Sequence, residues 1–441
     1  MIKKIFHIIY NERRENSWLL VEIIAASIML WMAFDPLFTL TRLESYDDGY
    51  NIDGTYMIDF GHYAPYDYRF KRSNEDAERN GESYTHMYNI VRSLPEIESY
   101  CFTQAYNYPG ANRRYHIFPL FIDSVDCGDN KDKYIELQNK KGLSLDYHPI
   151  YDIEGNDYFT TFGVKDAFTG KIFTPNKHDT NNNCYVSECF AKKHFGGTRE
   201  AIGKKIYLGH DKHFIISGIV KDMQVVDYDE PDDLLLLHRA NVPAEYRMLK
   251  LHIRLKKGVD RVAFEKRFKE EIMPKLKAGN AYCLNIEPHY VFKERNNEVH
   301  GIPSKLTMYN SMALFALFTV FLGMLSAFWI RTSARKSDIG IMRSVGASRL
   351  TIIKQIVTEV AILVNIGFAV AMLFVLHYLY VNGFADPLKN IIKITSVEGP
   401  LHFAVVTAAA YIIMMLFAIA GAAIPAWRIT KILPADALRE E

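Results

Sequence analysis

The sequence predicts a membrane α-helical protein with four transmembrane helices. It also predicts an extracytoplasmic α/β domain of split βαβ type, plus an inserted loop-rich subdomain. Three observations lead there. Four apolar runs each reach the length that spans a bilayer, roughly 17–25 residues. Residues 41–305, between the first run and the second, contain no such run and are rich in Tyr, Asn, Asp and Lys. Lys and Arg gather beside alternate ends of the runs. Composition agrees. A mean hydropathy of -0.07 is too polar for a chain that is mostly membrane, yet 49% of residues are apolar. A net charge of +1 from 52 basic and 51 acidic residues argues against a nucleic-acid binder. With 13% aromatics, the chain is not a disordered acidic scaffold.

The first run, Ser17 to Phe34, continues into Asp35-Pro36-Leu37-Phe38 without a small-x-small cleavage site, so it reads as a retained anchor. The others are Tyr309–Ile330, Ile356–Tyr380 and Leu401–Ala426. Orientation follows from flanking charge. Lys3, Lys4, Arg13 and Arg14 precede the first run, and Arg331, Arg335, Lys336, Arg343, Arg349 and Lys354 lie between the second and third. Arg428, Lys431 and Arg439 follow the fourth, whereas the loop before it has only Lys389 and Lys393. The expected layout is a cytoplasmic N-terminus over 1–16 and a first transmembrane helix over 17–40. The outer domain covers 41–305 and the second transmembrane helix 306–330. A cytoplasmic helical loop covers 331–355 and the third transmembrane helix 356–380. An outer loop over 381–399, a fourth transmembrane helix over 400–426 and a cytoplasmic tail over 427–441 complete it.

The outer domain shows strand–helix–strand units at both ends. Thr55–Phe60 alternates, a helical stretch stops before Pro95, and Ser99–Gln104 reads as a strand. Leu249–Leu255 alternates, Asp260 can cap a helix over Arg261–Ile272 that Pro274 disrupts, and Cys283–Ile286 reads as a strand. The middle, about 106–245, reads as the insert. Within it a strand at Cys184–Val186 leads through Ser187 as N-cap into a helix over Glu188–His194, which Gly196-Gly197 ends with φ > 0. The GG and GK elements there are not a phosphate loop. Gly197 and Gly203 are one residue too far apart, and Lys205 stands where Ser or Thr must hold magnesium.

Cys101, Cys127, Cys184, Cys189 and Cys283 all fall in the outer domain with no CxxC pair; the odd count leaves at least one unpaired in a monomer. No G-x-S-x-G or H-E-x-x-H occurs, and His210 and His213 lack metal-ligand spacing, so no catalytic or metal residues are assigned.

The stretch Arg331–Val360 is the most informative. Ser337 can cap a short helix, with Asp338 in its first turn. Ile339, Met342 and Val345 share a face, with Ile341 beside them. Gly346 can close that helix, and Ser348 can cap the next. Residue physics leaves two readings open, a helix lying on lipid and a helix docked on a partner protein. In the spans, Gly323 with Ala327 and Ala418 with Ala422 are small-x-x-x-small pairs, which fit packing within one protomer or a dimer seam. Glu22 and Glu359 lie near cytoplasmic span ends, either snorkelling to water or, for Glu359, bonding the docking-helix region. Asn365 is deeper and is placed to bond a neighbouring helix.

Arg335, Asp338, Ile339, Gly340 and Ile341, followed by Gly346-Ala347-Ser348, resemble the signature of MacB/FtsX-type ABC transporter permeases. Pro425-Ala426-Trp427-Arg428 and Pro434-Ala435-Asp436-Ala437-Leu438-Arg439 are similar to that family's C-terminal ending. Ser187–Phe195, Ile202-Gly203-Lys204 and Gly218-Ile219-Val220-Lys221-Asp222 are similar to its outer-domain fragments. Asp338 departs from the usual Glu and Leu433 from a frequent Asp, and residues 106–180 match no family feature. The resemblance implies a non-enzymatic permease subunit in the inner membrane. It would work as a homodimer, or as a heterodimer with a sibling. Its short helix, through Arg335, Asp338, Ile339, Gly340, Ile341, Met342 and Gly346, would dock a separate ABC ATPase subunit that binds ATP and magnesium, and the permease itself would need no cofactor. It implies transmission of ATP-driven motion to the outer domain for export of peptides, drugs or other amphiphiles. In that case a membrane-fusion protein and an outer-membrane channel are further partners, and nucleic acid is not. Lipoprotein release and activation of cell-wall hydrolases are the alternatives.

Overall fold

The computed structural model describes residues 13–75, 81–104, 108–111, 116–123, 140, 142–151, 153–176, 182–208, 212–225, 227, 231, 233–239, 249–381 and 399–431. Cys127, His210, Lys389, Lys393 and the Pro434–Arg439 motif lie outside them. In chain order the elements begin with α1 (Arg13–Glu44), β1 (Thr55–His62), α2 (Glu82–Arg92), β2 (Ile97–Gln104), β3 (His116–Phe121) and β4 (Leu143–Tyr151). Next come α3 (Tyr158–Phe162), β5 (Asn183–Ser187), α4 (Glu188–Phe195), β6 (Lys205–Leu208), β7 (Lys212–Val220), β8 (Leu234–Arg239) and β9 (Leu249–Leu255). Then follow α5 (Arg261–Arg267), β10 (Lys277–Ala278), β11 (Ala281–Pro288), α6 (His289–Val299), α7 (Ile302–Ala334), α8 (Lys336–Ser344), α9 (Arg349–Val381) and α10 (Gly399–Ile429). They form two units, Leu43–His300 and the remainder.

The first sheet of the Leu43–His300 unit runs β10-β11-β1-β9-β2, with every neighbouring pair antiparallel. β9 therefore separates the parallel strands β1 and β2, and β1 separates β11 from β9, which is the split βαβ arrangement. Alternation sorts the side chains. Tyr56, Ile58, Phe60, Phe102, Leu251 and Ile253 pack with Tyr84, Met87 and Tyr88 of α2 and Phe264 of α5. Met57 and Cys101 join a second core on the other face, with Tyr158, Phe159 and Phe162 of α3. α5 starts where expected, with Asp260 accepting the amides of Val262 (3.0 Å) and Ala263 (3.2 Å). Its last stretch, Phe268–Ile272, widens into a π turn before Pro274.

The insert is more regular than a loop-rich segment. β3-β4-β8-β5-β7-β6 close into a barrel, in which β4 with β8 and β5 with β7 pair in parallel. Leu235 and Leu237 face a core with Val186, Phe190 and Ile219, while Leu234 and Leu236 face the core shared with α3. Ser187 is the N-cap residue of α4, in extended backbone, but its side chain bonds none of the helix amides. Its Oγ accepts the Leu234 amide (3.0 Å), and Asp222 Oδ1 accepts the Cys189 amide instead (2.6 Å). Gly196 ends α4 at φ 79°, while Gly197 is extended at φ 176°. Cys101, Cys184 and Cys283 are buried free thiols, and Cys189 is half-buried with its Sγ 3.2 Å from Ser187 Oγ.

Among the described residues the other unit holds four helices long and apolar enough to cross a membrane, within α1, α7, α9 and α10. Their shared core includes Leu30, Phe328, Val360, Ala371, Met414 and Ala418.

Three histidines of the Leu43–His300 unit are buried and neutral. His148 Nδ1 meets Tyr158 Oη at 2.7 Å, and His252 Nδ1 meets His289 Nε2 at 2.7 Å. Burial pushes His148 and His289 down to about 3. Burial, then the neighbouring His289, puts His252 well below the ordinary value. The unfolded chain binds these protons below about pH 6.5 and the folded chain does not, so stability is complete above that pH and falls as pH drops toward 3. The slope approaches about 1.4 kcal/mol per pH unit for each histidine. Hydrogen exchange of β9 should accelerate from pH 7.5 to 4.5 after correction for intrinsic rates. His148→Asn should flatten the dependence; a pH-independent protection factor would contradict it.

Candidate functional site

α8 follows α7 almost without a break. Arg335, at φ -94° and ψ 19°, is the junction, and the Ile339 amide bonds its carbonyl (3.0 Å). The helix begins at Lys336, so Ser337 lies inside it and is not the cap. Asp338 sits in the first turn, where the dipole favours a carboxylate. The other end is a Schellman closure. The Ala347 amide bonds Met342 O (2.9 Å), and the Gly346 amide bonds Arg343 O (3.1 Å), with Gly346 at φ 100°. Ser348 Oγ then accepts the Thr351 amide (3.2 Å) at the start of α9.

The bundle divides the apolar residues of α8 into two sets. Ile339 and Gly340 are buried, and Met342 packs on the bundle core. Asp338, Ile341 (49% exposed) and Val345 (83% exposed) point outward at i, i+3, i+7 spacing. The face expected to be continuous over Ile339, Met342 and Val345 is thus not one surface. The inward residues hold α8 against its own chain, and the outward ones form the free face. Arg343 Nη1 donates to Thr430 O (2.8 Å) at the end of α10.

Glu359 of α9 anchors the other end. Its Oε1 accepts from Arg331 (3.1 Å) and its Oε2 from Arg335 (3.2 Å). Arg331 also donates to Asn16 Oδ1. Glu359 is 1% exposed and Arg331 5%, so neither snorkels to water. The sequence predicts a Glu359 bond to the region of α8 but not Arg331 or Asn16 as partners; the signal available was polar residues flanking otherwise apolar runs.

The small residues are used within the chain. Ala418 and Ala422 are fully buried, and Ala327 packs on the same core. α10 comes close to the α7 backbone at Gly421, which sequence reasoning missed, where a Cβ would press on the Phe321 carbonyl. Gly323 receives the carboxylate of Glu22. Asn365 Oδ1 accepts from Tyr411 of α10 (3.0 Å), a neighbouring-helix bond. Among the described residues no group of three or more His, Cys, Asp or Glu could hold a metal.

Removing Glu359 leaves two guanidiniums facing each other at the α7–α9 contact. Breaking a buried pair from one side costs about 3–5 kcal/mol. Glu359→Ala should therefore lower the thermal midpoint of the purified protein markedly, and Asn16→Ala should lower it less. Equal midpoints for Glu359→Ala and the unmodified chain would contradict this role.

Residues 310–434 match the family model described as FtsX-like permease C-terminal. The chain is 21% identical over 253 residues to the macrolide export ATP-binding/permease protein MacB of Aggregatibacter actinomycetemcomitans. That alignment covers 56% of this chain and 37% of the relative's length. The solved periplasmic region of MacB from Actinobacillus actinomycetemcomitans is 14% identical, with a TM-score of 0.33, covering 58% of this chain and 97% of that one. The motifs around α8 and the match at 310–434 make this part of the chain similar to permeases of the MacB/FtsX type.

Proposed function

We propose that the chain is the permease subunit of an ABC transporter and that α8 is the coupling helix on which a separate ATPase subunit docks. The observation that carries this is the split surface of α8. A helix transmits force only if one side is bound rigidly to its own chain and the other is free to bind a partner. Ile339, Met342, Arg335 and Arg343 supply the first condition; Asp338, Ile341 and Val345 supply the second. Lys and Arg asymmetry supports a cytoplasmic α8 and cytoplasmic termini, with the Leu43–His300 unit outside. The chain then works as a dimer, and ATP-driven closure of the ATPase pair moves the outer domain to export peptides, drugs or other amphiphiles. ATP and magnesium belong to the partner. A membrane-fusion protein and an outer-membrane channel would complete the export route.

Two outcomes test this reading. An apolar anchor at such an interface contributes about 2 kcal/mol or more, about 30-fold in affinity. Ile341→Asp with Val345→Asp should abolish co-purification of the ATPase subunit while leaving membrane insertion intact, because neither side chain packs in the bundle. Unchanged ATPase recovery would remove the basis for the coupling role. For orientation, a membrane-impermeant thiol reagent added to intact cells should label Ser73→Cys and spare Ser344→Cys, both exposed positions. The reverse pattern would overturn the topology.

A further inference from the structure

Glu22, a carboxylate inside an apolar span, has no ion-pair or hydrogen-bond partner among the described residues, in contrast to Asp35, which meets His402 Nε2 at 2.6 Å, and Glu359. It is also deeper than a cytoplasmic span end. It lies against Gly323, eight residues before Arg331, or about 12 Å along α7 at 1.5 Å per residue. The seat is specific. A Cβ at position 323 would occupy the place of the Glu22 carboxylate, so a larger residue there would displace it. A groove of about 840 Å³, the size of a small-ligand site, opens from this notch. Phe315, Phe318, Thr319 and Trp329 line it, and Arg428 stacks on Trp329 at 4.5 Å. Phe315 and Phe318 are more than 60% exposed, so the groove faces outward from the helices.

An ionised carboxylate at this depth is costly unless a cation matches it. Arg428, the cation at this groove, stacks on Trp329 and makes no ion pair with Glu22, and no Lys or Arg occurs in Ser17–Thr41, Tyr309–Ile330, Ile356–Tyr380 or Leu401–Trp427. Headgroup amines lie at the bilayer surface. A cation that reaches this depth from the bilayer is one carried on an apolar body.

We infer that the Glu22–Gly323 notch binds a lipophilic amine, with its ammonium on the Glu22 carboxylate and its apolar part along Phe315, Phe318 and Trp329. The ligand reaches the notch sideways from the bilayer. The site rests on α1 and α7 lying in a membrane and not on the ATPase reading, so it can fail while that reading stands. An alternative occupant is a proton, which would leave Glu22 neutral and the groove filled by acyl chains.

The test uses the full-length protein in phosphatidylcholine nanodiscs at pH 7, with signals from empty discs subtracted. The probes are N,N-dimethyldodecylamine and dodecanol, which share a chain length and differ in charge. Tryptophan emission is the readout, assigned to Trp329 by its loss in Trp329→Phe. The amine should bind saturably and about tenfold or more tighter than the alcohol. Glu22→Gln should erase that preference, and Gly323→Ala, which displaces the carboxylate, should weaken it. Equal affinity of the unmodified protein for the two probes would overturn the inference, as would a preference that survives in Glu22→Gln. The comparison of probes on the unmodified protein decides by itself if a variant fails to fold.

Discussion

Glu359 holds Arg331 with one carboxylate oxygen and Arg335 with the other, inside a mostly apolar bundle. This charge cluster constrains most of the helical unit. Arg331 is near the end of α7, Arg335 is the junction into α8, Glu359 belongs to α9, and Asn16 brings in α1. A buried carboxylate is costly unless its lone pairs are satisfied, and two guanidiniums satisfy both oxygens. The geometry therefore allows little freedom in how α8 leaves α7. Rotating α8 would move Arg335 away from Glu359 and leave a charge uncompensated.

The consequences appear along α8. With its start held by Arg335, its middle by Ile339 and Met342, and its end by Arg343 on Thr430, the helix has one orientation. The Schellman closure at Gly346 then turns the chain directly into α9. Asp338, Ile341 and Val345 are what this leaves exposed. Their exposure follows from the anchoring of their neighbours.

The Leu43–His300 unit has a different organising constraint, a sheet buried on both faces. The face toward α2 and α5 is apolar throughout, with Tyr84, Phe102 and Phe268 fully buried there. The opposite face carries His252, bonded to Thr103 and His289 and packed against Tyr108 and Phe162. Both imidazoles must stay neutral in that setting, which makes this unit the acid-sensitive part of the chain. The barrel satisfies the remaining apolar surface. β8 is a run of four leucines because each of its faces meets a different core.

What the sequence by itself determined were features set by contiguous residues. The four spans follow from apolar length, and the strands read at 55–60 and 249–255 from alternation. The α5 cap at Asp260 and the turn at Gly346-Ala347-Ser348 follow from local hydrogen bonding. The split βαβ arrangement was legible because each half is a local strand–helix–strand unit. Only the tertiary structure decided the barrel, whose β4 and β8 pair in parallel across a separation of more than eighty residues, a pairing no turn chemistry announces. It also decided which side of α8 is free. The spacing placed Ile339, Met342 and Val345 together, but a helical face about 100° wide can be divided between two neighbours. The partners of Glu359 were hidden for the same reason. Arg331 is 28 residues away, and Asn16 is 315 residues from Arg331. Side-chain pairing at that separation is a property of how helices pack, and periodicity in one helix carries no record of it.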